Sequence, residues 1–220
     1  MQAKVLTVCN QKGGSGKTTV TMQLAASYAR RGLEVLVVDA DPQGTATRWA
    51  SSASDEKPFR APVVGLSIAG SKVHREVAKF VDNYDLILID CPPAADSVVP
   101  QSALLIADLA LVPLVPSPLD LWASVGIREV IGRMSDINEG LQARLLLNQA
   151  QPNHNLTKET LEILPEFGID ICVTQWRQRA VYRQCAVWGQ SVHDLDNKTA
   201  IAEVEALATE LLPLLNLIKQ

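Results

Sequence analysis

The feature that most limits how this chain can fold is the run Asn10-Gln11-Lys12-Gly13-Gly14-Ser15-Gly16-Lys17-Thr18-Thr19. An apolar stretch over residues 4–9 leads into it and a segment of helical spacing over 17–30 leads out, so the run reads as a strand-to-helix turn. Gly13, Gly14 and Gly16 let backbone N–H groups converge on phosphate oxygens, with Ser15 and Thr19 in the same turn. Lys17 is placed to neutralise the β and γ phosphates, and the Thr18 hydroxyl to bind Mg2+. A turn that served geometry alone would not need Gly-Lys-Thr at its end. The common phosphate-loop pattern has glycine where Gln11 stands, so this loop is a variant.

Around the loop, apolar runs bounded by Gly, Pro or Asp predict short buried strands over 4–9, 34–38, 63–68, 86–89, 110–113, 144–147 and 169–173. Helical spacing predicts helices over 17–30, 45–50, 72–81, 99–107, 119–134, 158–166, 179–188 and 198–217. Strands that are apolar on both faces and alternate with helices indicate an α/β fold: a mainly parallel twisted sheet flanked by helices on both faces. Ligands of such sheets sit beyond the strand C-termini, where the phosphate loop lies.

With 47% hydrophobic and 20% charged residues, the 220-residue chain can bury one substantial core, and one domain over 1–220 is expected. A net charge of −4 and a pI near 5.4 exclude a broadly basic surface, so any nucleic-acid contact must be local. No apolar run is long enough for a membrane span, and no basic segment followed by a cleavable apolar run opens the chain, so a cytoplasmic protein is expected. Cys9, Cys91, Cys172 and Cys185 are widely separated, and neither they nor His74, His154 and His193 have metal-ligand spacing. Reduced, mostly buried thiols follow.

The loop Lys12-Gly13-Gly14-Ser15-Gly16-Lys17-Thr18 resembles the deviant Walker A loop of the ParA/MinD family of ATPases. That resemblance implies ATP and Mg2+ as cofactors, and a homodimer with nucleotide sandwiched at its interface. It further implies that Lys12 reaches across the interface to the partner's phosphates. Such a cation would favour dimerisation only when a triphosphate is present, and could stabilise charge developing during phosphoryl transfer. Leu86-Ile87-Leu88-Ile89-Asp90 resembles the Walker B strand, whose carboxylate would hold Mg2+ together with Thr18. Asp39-Ala40-Asp41-Pro42-Gln43 matches the family's first switch, in which the second carboxylate, Asp41, would orient the attacking water. Both aspartates are also suited to ending the strand and capping the helix near Gly44. Pro92 and Pro93 resemble the second switch, and Asn148, at a strand end, is positioned like residues that recognise the base.

The resemblance covers nearly the whole chain, which leads to the expectation of no N-terminal helix-turn-helix. The run Val112-Pro113-Leu114-Val115-Pro116-Ser117-Pro118-Leu119-Asp120 is similar to the proline-rich motif of small ParF-type partition ATPases, which contributes to dimer contacts; a rigid loop before a helix is the plainer reading. Residues 171–193 carry Arg177, Arg179 and Arg183 but no Asp or Glu, and resemble the region through which ParA relatives touch non-specific double-stranded DNA. A solvated helix face, or pairing with Asp194 and Asp196, is the alternative for these arginines. Trp176 and Trp188 are read as packing residues, since duplex DNA offers no exposed bases.

The expected function is thus a slow, partner-stimulated ATPase that binds nucleoid DNA in its ATP state. It would position a plasmid, a chromosome or another large cargo through a ParB/ParG/McdB-like adaptor, as small partition and carboxysome-positioning McdA-like relatives do. Two alternatives remain. A MinD-like membrane switch would need a basic amphipathic tail, whereas residues 211–220 are leucine-rich, nearly uncharged and interrupted by Pro213, so no stable membrane association is expected. A metabolic enzyme of the same superfamily is the other.

Overall fold

The structure, a computed structural model, describes residues 2–93, 97–151 and 155–217. Strand β1 (Lys4–Val8) runs into the phosphate loop and helix α1 (Lys17–Arg30), followed by β2 (Val35–Asp39), α2 (Thr45–Ser51) and β3 (Val63–Gly65). A 3-10 segment (Ser67–Lys72) and α3 (Val73–Val77) lead to β4 (Leu86–Asp90), α4 (Val99–Leu104) and β5 (Leu109–Leu114). The chain continues through α5 (Pro118–Ala123), α6 (Val125–Ser135), β6 (Gln142–Leu147), α7 (Asn155–Ile163), α8 (Ala180–Trp188) and α9 (Lys198–Leu211).

The six strands form one sheet in the order β3-β2-β4-β1-β5-β6, and every pairing is parallel. Because side chains alternate along a strand, each strand feeds two cores. Leu6, Val8, Val35, Val37, Leu86 and Leu88 face α1, α8 and α9. Val5, Cys9, Leu36, Val38, Ile87 and Ile89 face α3, α4 and α6. Strands apolar on both faces therefore produced the continuous runs in the sequence. The chain leaves β1 toward β2 on one side and later fills β5 and β6 on the other, so the C-terminal end of β1 lies at the reversal of strand order.

Several elements differ from the sequence expectation: α3 stops at Val77 where 72–81 was expected, α4 at Leu104 where 99–107 was expected, and α7 spans Asn155–Ile163 where 158–166 was expected. The strand expected over 169–173 is reduced to a single bridge between Ile171 and Leu145. The backbone N–H groups of Val173 and Thr174 are taken instead by the Glu210 carboxylate, at 2.6 and 2.9 Å, which pulls the chain off the β6 edge. The helix expected over 119–134 is two helices joined at Ser124, whose hydroxyl donates to Asp120 O at 2.8 Å and meets the Asn10 side chain behind the phosphate loop. The strand expected over 63–68 stops at Gly65, on the exposed edge of the sheet. The last helix ends at Leu211, two residues before Pro213, and residues 218–220 of the tail, like His154, lie outside the described residues.

All four cysteines are free and buried, as expected, and burial pushes the Cys9 and Cys172 thiols up to about 12. Trp176 is fully buried, donating its indole N–H to Glu203 O at 3.0 Å and stacking on Tyr182. Trp188 differs from the packing expectation: it is 62% exposed, because α8 ends there and Gly189 turns the chain against residues 52–53.

Candidate functional site

The loop after β1 is held from outside. Asn10 is buried; its amide donates to Pro113 O at 2.8 Å, and its Oδ1 accepts from Lys12 N–H at 3.1 Å. Asn148, at the end of β6, donates to Ser15 O at 2.7 Å, and Gln149 donates to Gly14 O at 2.8 Å. Gly14 and Gly16 have φ of +77° and +89°, the left-handed region that glycine enters without cost. A Cβ at Gly16 would also fall 2.2 Å from Asn148 Nδ2. Helix α1 begins at Gly16 with no side-chain cap, which leaves its first N–H groups for an anion.

Lys17 is nearly buried, and its ammonium donates to Lys12 O at 3.0 Å, folded over the mouth of the loop. Burial pulls its pKa below the ordinary lysine value, with the nearby Asp90 opposing that effect. Thr18 donates to Asp90 Oδ2 at 2.6 Å. Asp90 is fully buried and its Oδ1 has no hydrogen-bond partner. Burial pushes its carboxyl up to about 7, while the Thr18 hydroxyl pulls it down. A hydroxyl and a buried carboxylate with a vacant lone pair, beside an uncapped helix start, fit a hard divalent cation bridging to phosphate. The residues present therefore suit Mg2+ and a nucleotide triphosphate tail.

The structure separates the two switch aspartates. Both Asp39 oxygens are used internally: Oδ2 accepts from Thr47 N–H and Oγ1–H, each at 2.8 Å, and Oδ1 from Asp41 N–H at 3.3 Å. Asp39 thus anchors α2. Among the described residues the Asp41 carboxylate accepts Gln43 N–H alone, at 2.9 Å, and Asp41 lines a cavity of about 310 Å3 with Gly14, Lys17, Thr18, Thr45 and Pro93. Residues 94–96 of the second switch are outside the described residues.

A second cavity of about 210 Å3 adjoins the first, sharing Gly16, Thr19 and Gln149. Asn148, Tyr182, Arg177, Arg179 and Arg183 complete its wall. Its position beyond the first turn of α1 suits the sugar and base of a nucleotide whose phosphates occupy the loop. The arginines read as a DNA contact thus line this second cavity, beside the start of α1. Arg179 makes two bonds to Glu203, at 2.9 and 2.6 Å, and Arg177 lies 3.9 Å from the same carboxylate; the partner is on α9 and is neither Asp194 nor Asp196. Arg183 has no ion pair among the described residues.

Lys12 stands apart from the cradle. Its ammonium pairs with Asp120 Oδ1 at 2.6 Å and its side chain is 42% exposed. Asp120 is fixed by a reciprocal cap with Ser117: its N–H donates to Ser117 Oγ at 3.1 Å and its Oδ2 accepts the hydroxyl at 2.7 Å. Sequence reading took Asp120 only as the end of a proline-rich run; the Ser-x-x-Asp spacing was the signal for its role. Gln149 and Tyr182 were missed too, because nothing local marks a residue that becomes a wall through packing.

The nucleotide-binding domain family of CobQ, CobB, MinD and ParA proteins matches residues 6–176. The chain belongs to this family. It is 35% identical over 214 residues to maintenance of carboxysome distribution protein A of Halothiobacillus neapolitanus, covering 96% of this chain and 98% of that one. It is 31% identical over 174 residues to the chromosome-partitioning ATPase Soj of Thermus thermophilus, covering 67% and 68% of the two chains. Among solved structures, the Cyanothece McdA–ATP complex superposes with a TM-score of 0.82 at 17% identity, covering 100% of this chain and 98% of that one. MinD of Pyrococcus horikoshii complexed with Mg-ADP gives 0.74 at 21% identity, covering 95% and 96%. These neighbours share the fold of this chain, and the family is one of nucleotide-binding domains. Among the described residues no helix is long and apolar enough to cross a membrane.

Proposed function

We propose that this chain is a single-domain cytoplasmic ATPase that dimerises around ATP, binds nucleoid DNA in that state, and positions a large cargo such as a carboxysome through an adaptor. The observation that carries the dimer is the position of Lys12. Lys17 already serves the chain's own phosphate cradle, whereas Lys12 projects from the outer rim toward α5 and solvent. A second lysine facing away from its own site suits the site of a second subunit, where a triphosphate would attract it more strongly than a single carboxylate does.

In this reading Gly13, Gly14, Ser15, Gly16, Lys17, Thr18 and Thr19 hold the phosphates, Asn148 meets the base or sugar, and Thr18 with Asp90 holds Mg2+. When bound there, Mg2+ would offset the charge of the phosphates. Asp41, with an oxygen left free beside the loop, orients the attacking water, and Lys12 and Lys17 stabilise charge on the transferred phosphoryl group. Arg183 carries the DNA contact, and Arg177 and Arg179 join it when Glu203 releases them. Carboxysome cargo is supported by the relative from Halothiobacillus, which matches along nearly its full length.

The test is binding of arbitrary duplex DNA with no nucleotide, with ADP, or with ATP and Mg2+, for the wild type, Lys12→Ala and Arg183→Ala. Salt-sensitive binding that requires ATP and is weakened in both variants is expected. DNA binding equal in all nucleotide states, or absent while ATP still drives dimerisation, would remove the DNA-carrier part of the proposal.

A further inference from the structure

Two consecutive residues just past β6 hold two consecutive carbonyls of the loop between β1 and α1. Asn148 Nδ2 donates to Ser15 O at 2.7 Å, and Gln149 Nε2 to Gly14 O at 2.8 Å, across 133 and 135 residues of chain. The peptide bonds are trans, so each peptide unit sends its carbonyl and its N–H to opposite sides. Holding Gly14 O against Gln149 therefore turns the Ser15 N–H away from β6, toward the inside of the turn. Holding Ser15 O against Asn148 does the same for the Gly16 N–H. Among the described residues neither N–H has an acceptor within the protein.

Gln149 reaches Gly14 from a backbone that glutamine rarely adopts. Its φ is +57°, in the left-handed region that disfavours a residue with a Cβ. Its surroundings hold it there: Asn148 N–H donates to Leu114 O at 2.8 Å and Ala150 N–H to Trp176 O at 2.9 Å. The Asn148 side chain adds a third restraint, its Oδ1 accepting the Gln149 N–H at 2.9 Å. Strain maintained in this way is a pointer to function, and here its result is an amide aimed at the loop. Gln149 also lines both cavities that adjoin the turn.

Building on the phosphate site proposed above, on which this role depends, we infer that Gln149 is a positioning residue for phosphate binding. Its side-chain amide fixes the Gly14 carbonyl and so aims the Ser15 N–H at a phosphate oxygen, while Asn148, with one of its two amide N–H bonds, aims the Gly16 N–H. Glycine makes such a hold useful. Gly14 has a φ of +77° and nothing within 4 Å of where a Cβ would stand, so packing at its Cα does not select one orientation of the peptide that follows it. A donor that is oriented before the anion arrives removes an ordering cost from binding.

The full chain is compared with Gln149→Met, which keeps the side-chain length without a donor, and Gln149→Gly, which also relieves the left-handed φ. Backbone N–H resonances of Ser15 and Gly16 are followed while Mg-ADP, and separately Mg-pyrophosphate, is added. In the wild type both resonances are expected to move downfield as charge-assisted hydrogen bonds form. In both variants the affinity for either ligand is expected to fall by about five- to ten-fold, as for loss of one hydrogen bond, and the Ser15 response to shrink while that of Gly16 is kept. Unchanged affinity in either variant, or equal loss of the two N–H responses, overturns the positioning role. A loss confined to Mg-ADP places Gln149 against the sugar or base and overturns it as well. A wild type that binds neither ligand overturns the phosphate site itself, a failure that the wild-type titration shows without the variants.

Discussion

Lys12 Nζ lies 2.6 Å from Asp120 Oδ1, so the outer lysine of the phosphate loop is tethered to the first turn of α5 in its own subunit. The pair is half-open to water on the lysine side, which limits it to about 1 kcal/mol or less. A lysine that must cross to a partner's nucleotide has to leave this carboxylate first. Asp120→Asn keeps the Ser117 cap acceptor but removes the charge, and is expected to tighten ATP-dependent dimerisation by about two- to five-fold. Sedimentation with a slowly hydrolysed ATP analogue measures this; a weaker dimer would place Asp120 within the assembled interface instead.

If Asp90 holds Mg2+ as proposed, metal binding depends on pH. Burial raises its carboxyl to about 7, above the unfolded value of 3.8, so its contribution to stability is full below 3.8 and is lost as pH rises through 7. Below 7 the proton must leave before Mg2+ can bind. Mg-nucleotide binding at pH 6 is therefore expected to release about one proton per site, falling toward none above pH 8. Calorimetry in buffers of different ionisation enthalpy reads this directly. Asp90→Asn should abolish the release, and a release that persists in the variant would assign it to another group.

Gly16→Ala combines two costs, a φ of +89° and a Cβ placed 2.2 Å from Asn148 Nδ2. The left-handed backbone alone costs about 1–2 kcal/mol, and Asn148 must give up its bond to Ser15 O. Nucleotide affinity is expected to fall by about ten-fold or more, with a lower melting temperature, as read by a fluorescent ATP analogue and thermal unfolding. Unchanged affinity would mean that the Asn148–Ser15 contact does not shape the loop.

Glu203 holds Arg179 through two bonds and lies near Arg177 and the Tyr182 hydroxyl. Glu203→Gln is expected to cost about 1 kcal/mol of stability in urea unfolding, because the pair is mostly shielded from water. It also frees two cations, so ATP-dependent DNA affinity should rise by about two- to five-fold with a steeper salt dependence. If DNA affinity stays constant, Arg177 and Arg179 serve the nucleotide cavity alone.

Sequence alone determined the parallel sheet, because strands covered on both faces read as continuous apolar runs. It also determined the glycine-rich turn between β1 and α1, because Gly14 and Gly16 set its shape through backbone geometry that is local. Asp90 was legible for the same reason, as a carboxylate at the end of a buried strand. Tertiary structure decided everything that depends on which distant groups meet. It assigned Asp39 to Thr47 and left Asp41 facing the loop, gave Arg179 to a glutamate 24 residues away, and tied Lys12 to an aspartate more than 100 residues along the chain. It also turned the backbone at 173–174 away from the sheet, toward Glu210. An ion pair or a side-chain-to-backbone bond carries no periodicity, and its partner is chosen by packing, so such choices appear only once the helices have settled on the sheet.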